Sequence, residues 1–372
     1  MARLERLIQE LCPDGVNRVC IGEVVKYEQP TKYIVKSTKY DDSYLTPVLT
    51  AGQTFVLGYT DETDGVYSAS AEKPVIIFDD FTGAFKWVDF PFKVKSSAMK
   101  MLPADEQKII LRYVFHIMGH INFSSDEHKR LWIGTYSNFK IPLPPLEIQK
   151  EIVRILDKFT ELTAELTAEL TARKKQYEYY RDELFRTAKN AEVHYLNEIA
   201  ENCDNQRKPV TSGNRVAGEY PYYGASGIVD YVDDYIFDGE YLLISEDGAN
   251  LLARSTPIAF SISGKNWVNN HAHVLHFDSY ETRRYVEIYL NSIDLSPYIT
   301  GGAQPKLNQK NLNKIPIPLP SHDEQFRIVS ILDRFDSLCN DLTSGLPAEI
   351  EARRKQYEYY RDKLLTFKEL RV

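Results

Sequence analysis

Cysteine is scarce in this chain: of 372 residues only Cys12, Cys20, Cys203 and Cys339 are cysteine, and no two stand at CxxC spacing. That scarcity excludes a disulfide scaffold, argues against a zinc site and fits reduced thiols in a cytosol. No apolar run approaches the roughly 18 residues that span a membrane. The opening Met1-Ala2-Arg3-Leu4-Glu5-Arg6-Leu7-Ile8 is charged and amphipathic and lacks a signal-peptide core. A surplus of positive charge is missing too, for the net charge is −8 and the pI near 5.6. Nucleic-acid binders are usually basic, because phosphate neutralisation supplies most non-specific affinity. Any DNA contact must therefore rest on local clusters of basic residues or on a partner's positive field.

Catalytic signatures are absent as well. Ser263-Gly264-Lys265-Asn266 lacks the upstream glycine spacing of a phosphate-binding loop and the Ser or Thr after its lysine. No Asn-Pro-Pro-Tyr-like segment occurs, which argues against a built-in adenine methyltransferase. Asp79-Phe81-Thr82-Gly83 reads as a strand-to-turn junction, and Pro103-Ala104-Asp105-Glu106-Gln107-Lys108 as a helix start. His271 and His273 would share a face of an extended strand, with His276 close by. No cysteine or carboxylate cluster accompanies them in sequence, so they read as packed or hydrogen-bonded imidazoles. The expectation is no catalytic residue, no metal and no bound cofactor.

What the chain does contain is repetition. Lys175-Gln176-Tyr177-Glu178-Tyr179-Tyr180-Arg181-Asp182 returns unchanged as Lys355-Gln356-Tyr357-Glu358-Tyr359-Tyr360-Arg361-Asp362, 180 residues later (355 − 175). Ile152-Val153-Arg154-Ile155-Leu156-Asp157-Lys158-Phe159 matches Ile328-Val329-Ser330-Ile331-Leu332-Asp333-Arg334-Phe335 at an offset of 176 (328 − 152). Two such blocks mean two copies of one plan. The four-residue difference predicts one additional helical turn between the blocks of the second copy.

The copies read globular, helix, globular, helix. Residues 1–145 carry short strand-like runs such as Pro74-Val75-Ile76-Ile77-Phe78, and Ile141-Pro142-Leu143-Pro144-Pro145 closes them. Over 146–188 an apolar seam runs through Ile148, Ile152, Ile155, Phe159, Leu162 and Leu166, with alternating steps of three and four. The tandem Thr163-Ala164-Glu165-Leu166 and Thr167-Ala168-Glu169-Leu170 adds a stutter. Residues 189–320 form the second globular region, closed by Ile315-Pro316-Ile317-Pro318-Leu319-Pro320, and 321–372 the second long helix. Gly345 and Pro347 predict a kink or a break and restart there. The fold class is α+β: two globular α/β domains separated by two long antiparallel coiled-coil helices, with an internal pseudo-two-fold repeat.

These blocks resemble the specificity subunits of type I restriction–modification enzymes. The likeness is carried by Leu11-Cys12-Pro13-Asp14-Gly15-Val16, by both proline runs and by both octapeptides. It continues in Tyr220-Pro221-Tyr222-Tyr223-Gly224-Ala225-Ser226-Gly227-Ile228, Ser245-Glu246-Asp247-Gly248-Ala249-Asn250-Leu251 and Gly264-Lys265-Asn266-Trp267-Val268-Asn269-Asn270-His271-Ala272-His273. The resemblance implies a cytoplasmic bacterial or archaeal protein with two target-recognition domains, each reading one half of a split DNA sequence. It implies two partner methyltransferase subunits that modify adenine N6 with S-adenosylmethionine, and motor-nuclease subunits for cleavage. The first domain departs from the pattern, with no clear counterpart of Asn269-Asn270-His271-Ala272-His273, so the target is expected to be asymmetric.

Side chains able to reach base edges and phosphates from loops are the candidate DNA contacts. In the first domain these are Lys32, Lys36, Gln53, Thr54, Thr82 and Lys86. In the second they are Arg207, Lys208, Tyr223, Ser226, Asn250, Arg254, Lys265, Asn266, Gln304 and Lys306, with Asn250 and Gln304 carrying the amides suited to adenine. In the octapeptides Tyr177 and Tyr180 lie on the seam, while Tyr179, Arg181, Tyr359 and Arg361 face away as candidate partner anchors. The rival reading is a coiled-coil scaffold whose globular ends bind other proteins.

Overall fold

A proline contributes no N–H, but its carbonyl still needs a partner, and both proline runs meet that need in the same way. In the computed structural model, which describes residues 2–52, 54–121, 123, 129–188 and 191–370, Lys140–Leu143 pairs antiparallel with Asn17–Cys20. Ile317–Leu319 pairs likewise with Glu192–His194. A buried glutamine on the first turn of the following helix then closes each run. Gln149 donates to the Pro144 and Lys108 carbonyls and accepts from the Ile110 amide. Gln325 donates to the Pro320 carbonyl at 2.7 Å and accepts from Thr282.

The helices of ten residues or more are α1 (Ala2–Leu11), α2 (Leu111–His120), α3 (Leu146–Thr187), α4 (Tyr280–Ser292), α5 (His322–Asn340) and α6 (Leu346–Leu364). Of the two long helices expected, the first is thus a single helix of 42 residues. The second breaks where Gly345 and Pro347 predict. Its four extra residues are not a helical turn: they lie in the loop between α5 and α6, where Leu342 is 80% exposed. The Asp341 carboxylate accepts hydrogen bonds from the Thr343 and Ser344 amides, which stops the helix. A Cβ on Gly345 would lie 2.6–2.9 Å from the carbonyls of Ser337, Leu338 and Asp341, so only glycine fits this return.

The chain divides into two compact units, Met1–Leu166 with Glu349–Val372, and Thr167–Ala348. In the first unit Ile148, Ile152 and Leu156 of α3 share one core with Leu364 of α6, and Phe159 stacks on Tyr360 with ring centroids 5.2 Å apart. In the second unit Phe335 of α5 meets Tyr177 and Tyr180 of α3. Cys339 lies within reach of the charges of Arg173 and Lys174, so the two helices run antiparallel. Each octapeptide therefore docks on the other copy's Ile-Val-x-Ile-Leu-Asp-x-Phe block. One further tie is duplicated. Arg112 of α2 binds Asp157, and Arg284 of α4 binds Asp333, both at 2.7 Å.

The globular part of the first unit contains β1 (Thr46–Leu49), β2 (Val56–Thr60), β3 (Val75–Asp79), β4 (Phe85–Val88), β5 (Lys93–Val94) and β6 (Met99–Leu102). They form two three-stranded sheets, β2-β1-β5 and β4-β3-β6. The second unit contains β7 (Ala217–Gly224), β8 (Gly227–Val232), β9 (Phe237–Ser245), β10 (Ala259–Val268) and β11 (Ala272–His276). With the edge strand Glu201–Asn202 they make one six-stranded sheet, ordered 201–202, β11, β9, β10, β7, β8. The central strands read Val-Ile-Ile-Phe and Leu-Leu-Ile and are fully buried, as continuous apolar runs in central strands should be.

Candidate nucleic-acid interface

Strand register aligns the two domains where their sequences do not. Phe78 of β3 faces Lys100 of β6, and Ile244 of β9 faces His273 of β11. Two residues beyond each central strand position stands an acid, Asp80 or Glu246. The Asp80 amide bonds the Ala98 carbonyl, and the Glu246 amide bonds the His271 carbonyl. The Asp80 carbonyl accepts from the Leu131 amide at 2.8 Å, and the Glu246 carbonyl from the Leu307 amide at 2.7 Å. Ser96-Ser97-Ala98-Met99-Lys100 is therefore the counterpart of Asn269-Asn270-His271-Ala272-His273, which the sequence comparison failed to find.

Both acids are held by buried bases. Lys100 is 0% exposed, with Nζ 3.5 Å from Asp80 and donating to Gln29 at 2.9 Å. His273 is 1% exposed; its ring nitrogens lie 2.6 Å from Asp204 and 2.8 Å from the Leu307 carbonyl. Arg207 binds Glu246 at 2.8 Å and Asp204 at 3.3 Å. Burial pushes Glu246 up, but the Arg207 hydrogen bond and the His273 and Lys306 contacts outweigh it and leave its carboxyl below the ordinary value. Asp204 follows the same balance: burial raises it, and the hydrogen bonds from His273 and Val274 prevail.

Around this frame the second domain's loops converge. The Asn269 amide bonds the Tyr223 carbonyl, Ser245 Oγ donates to the Ala225 carbonyl, and the Gly248 amide bonds the Pro305 carbonyl. A Cβ on Gly227, Gly248 or Gly302 would meet nothing within 4 Å, so the backbone here is open to close approach. Ser226, Gln304 and Lys306 belong to these loops and are exposed, while Tyr223 lies at the end of β7 and is half-buried. Lys208 is exposed nearby, its amide bonded to Val268. In the first domain Thr82 is exposed in the tight turn that the Asp79 carboxylate closes. Thr54 and Lys86 are also exposed. Lys36 is exposed with its amide on Glu62, and Lys32 pairs with Glu28 at 2.8 Å. Gln53 lies outside the described residues.

Four expected DNA contacts are committed to the protein instead. Arg207 is the internal partner of Glu246 and Asp204. The Asn250 amide donates to the Thr256 carbonyl and accepts from Ser255 and the Thr256 amide, closing its own loop. Arg254, in a left-handed backbone conformation, donates to the Leu290, Asn291 and Ile293 carbonyls at the end of α4. Asn266 is wholly buried and donates to the Gly264 carbonyl. Lys265 is exposed, but its ammonium lies 4.6 Å from the centre of the Tyr235 ring, opposite Asp238 in the ladder. Asn250 and Asn266 satisfy the backbone of their own loops, while Arg207 and Arg254 answer carboxylates or carbonyls brought in from distant segments.

The octapeptides split the expected anchors by residue type. Tyr179 is 63% and Tyr359 62% exposed, as an outward anchor must be. The arginines turn inward, contrary to expectation. Arg361 pairs with Asp362 and donates to the Gly119 carbonyl at 2.6 Å, and Arg181 pairs with Asp182 beside Tyr177.

One residue escaped the sequence reading. Arg130 leans on Asp80 at 3.7 Å as Lys306 leans on Glu246 at 3.1 Å. The signal was present, since Arg130-Leu131 precedes Lys306-Leu307 by 176 residues (306 − 130), the offset of the Ile-Val-x-Ile-Leu-Asp blocks.

The fold defines an internally duplicated protein with two α/β domains built on one acid–base frame, each fused to half of a long-helix system. Known proteins give that class a family. The model of the type I restriction modification DNA specificity domain matches residues 13–173 and again 188–352. The type I restriction enzyme EcoR124I/EcoR124II specificity subunit of Escherichia coli is 44% identical, covering 99% of this chain and 97% of that one. The EcoprrI specificity subunit of Escherichia coli is 37% identical over 56% of this chain and 55% of its own length. The type I restriction–modification S subunit from M. genitalium shares the fold, with a TM-score of 0.63 at 15% identity over 94% of this chain and 96% of that one. This chain belongs to the specificity subunits of type I restriction–modification enzymes, the non-catalytic components of those complexes. Among the described residues no helix is long and apolar enough to cross a membrane.

Proposed function

We propose that each α/β domain reads one half of a bipartite, asymmetric DNA target, and that the long helices set the number of unread base pairs between the halves. On this reading Tyr179 and Tyr359 anchor two adenine-N6 methyltransferase subunits, whose S-adenosylmethionine is theirs rather than this chain's, and motor-nuclease subunits add cleavage. Ser226, Gln304, Lys306, Lys208 and Tyr223 in the second domain, with Thr54, Thr82, Lys86, Lys32 and Lys36 in the first, remain the contacts proposed to DNA. One observation carries the reading. The same buried frame supports different exposed loops in the two domains, as one scaffold needs in order to read two different half-sites.

The tandem Thr163–Leu170 lies within the continuous helix α3. Each four-residue unit adds about 6 Å along a helix, against about 3.4 Å per base pair. Co-expression with the methyltransferase in a methylation-free host, followed by mapping of N6-methyladenine, should give a split motif with a fixed gap. Deleting Thr167-Ala168-Glu169-Leu170 should shorten that gap by about one or two base pairs and leave both half-sites intact. An altered half-site with the old gap would sink the ruler.

A further inference from the structure

Asp80 and Glu246 each face, besides a buried or largely buried base, a second and more exposed cation. Asp80 is neutralised by Lys100, which is as buried as the acid itself. Arg130 adds a second cation that is 53% exposed and, at 3.7 Å, too far for a hydrogen bond. Glu246 is neutralised by Arg207, itself only 13% exposed, and Lys306 adds the half-exposed second cation. Each exposed cation is followed by a fully buried leucine whose amide bonds the acid's own carbonyl. The backbone of Arg130 and Lys306 is thus fixed at the same place in both domains while the charged ends reach solvent. Glycines with open space on their Cβ side lie close by in sequence, Gly134 after Arg130 and Gly302 before Lys306.

From this we propose that Arg130 and Lys306 are matched phosphate-contacting residues, Arg130 placing the first domain on the DNA backbone as Lys306 places the second. The assignment rests on the DNA-reading function proposed above. A phosphate suits the geometry better than a base edge. A phosphate asks only for charge and a single donor, which both side chains still present to solvent with an acid 3.7 Å behind Arg130 and 3.1 Å behind Lys306. Such contacts fix register without carrying sequence information.

The test uses the assembled complex with its methyltransferase subunits and fluorescence-anisotropy titrations of target and scrambled duplexes over roughly 50–200 mM salt. Arg130→Gln and Lys306→Gln should each reduce the salt slope by about 0.9, the share of one phosphate contact. Each should weaken both duplexes by the same factor and leave the methylated sequence and the melting temperature unchanged. The double variant should lose about twice as much slope, and Arg130→Lys should restore it. If Arg130→Gln keeps the parental slope, or lowers the melting temperature sharply, Arg130 is a structural partner of Asp80 and the assignment falls. A changed half-site would make it a base reader instead. If the unsubstituted complex itself binds DNA without salt dependence, the DNA-reading function fails first and takes this assignment with it.

Discussion

The two recognition domains solve one structural problem with different materials. In the second domain the strand β10 runs unbroken over Ala259–Val268, pairing first with β9 and then, parallel, with β7, so the sheet is continuous. In the first domain the same path is cut into β4 and β5, and two separate sheets result. Asp89-Phe90-Pro91-Phe92 fills the gap, and a proline cannot donate to a ladder. The break nevertheless leaves the parallel pairing of Val48 with Lys93 and Leu49 with Val94, the analogue of Tyr222 with Trp267 and Tyr223 with Val268. Topology persists while strand continuity does not. The buried charges obey the same rule: an acid beyond the central strand is held by Lys100 in one domain, and by Arg207, Lys306 and His273 in the other. What recurs is the place of the compensated charge, not its chemistry.

That contrast breaks most visibly at Lys100. The first domain rests its buried acid on a single buried base, and Asp80 Oδ2 has no hydrogen bond of its own. Lys100→Met should cost about 3–5 kcal/mol, because it leaves the buried carboxylate with only the half-exposed Arg130 at 3.7 Å, and adding Asp80→Asn should recover most of the loss. Arg207→Met should cost less, about 2 kcal/mol, because Lys306 and His273 still face Glu246. Urea unfolding midpoints of the three variants decide the matter, and equal losses at Lys100 and Arg207 would mean that load is not divided as described.

Much of this plan was legible in the sequence because it is local. The octapeptides, the first seam and the Gly345–Pro347 break all follow from local spacing, and the structure keeps them, while Leu342 leaves the second helix for an exposed loop. The counterpart of His273 was not legible, because Lys100 shares no chemistry with a histidine and is matched only through its facing strand. The site residues suffered for a related reason. Arg207, Asn250, Arg254 and Asn266 have the side chains of DNA readers, but each sits where buried backbone or a carboxylate needs a donor. Whether a polar residue faces inward depends on chain segments distant in sequence. The extra four residues before α6 likewise gave the length difference but not its form, since Asp341 caps them into a loop.

A smaller effect sharpens the likeness rather than the contrast. Tyr113 of α2 and Tyr285 of α4 are both fully buried, and their hydroxyls donate to the Pro142 and Pro318 carbonyls of the two proline runs. Tyr113→Phe and Tyr285→Phe should each cost about 1 kcal/mol. The loss at Tyr285 should be the larger, since its hydrogen bond is 2.7 Å against 3.2 Å. Thermal melts of the two variants would expose a false equivalence if only one of them responds.

The smallest expected difference is one of pH. His116 of α2 lies buried between Asp157 and Tyr357, where its counterpart four residues beyond Arg284 is Ile288. Burial pushes the His116 imidazole below its ordinary 6.5, and although the Asp157 hydrogen bond pulls upward, Arg112 and Arg361 add to the fall. The folded state therefore keeps His116 neutral where the unfolded chain has begun to take up a proton. Unfolding binds the extra proton, so this contribution is intact above pH 6.5 and is lost as pH drops below it. Asp157 is held below its ordinary 3.8, since the His116 and Arg112 contacts outweigh its burial, so it stays charged throughout that window and does not mask the effect. Amide exchange, corrected for intrinsic rates, should show α2 and the Tyr357 turn of α6 opening more readily at pH 5.5 than at 7.5. The matching elements α4 and the Tyr177 turn of α3 should change less, and His116→Leu should flatten the dependence in the first unit. Equal acid sensitivity in both units, or a dependence that survives His116→Leu, would move its origin away from this imidazole.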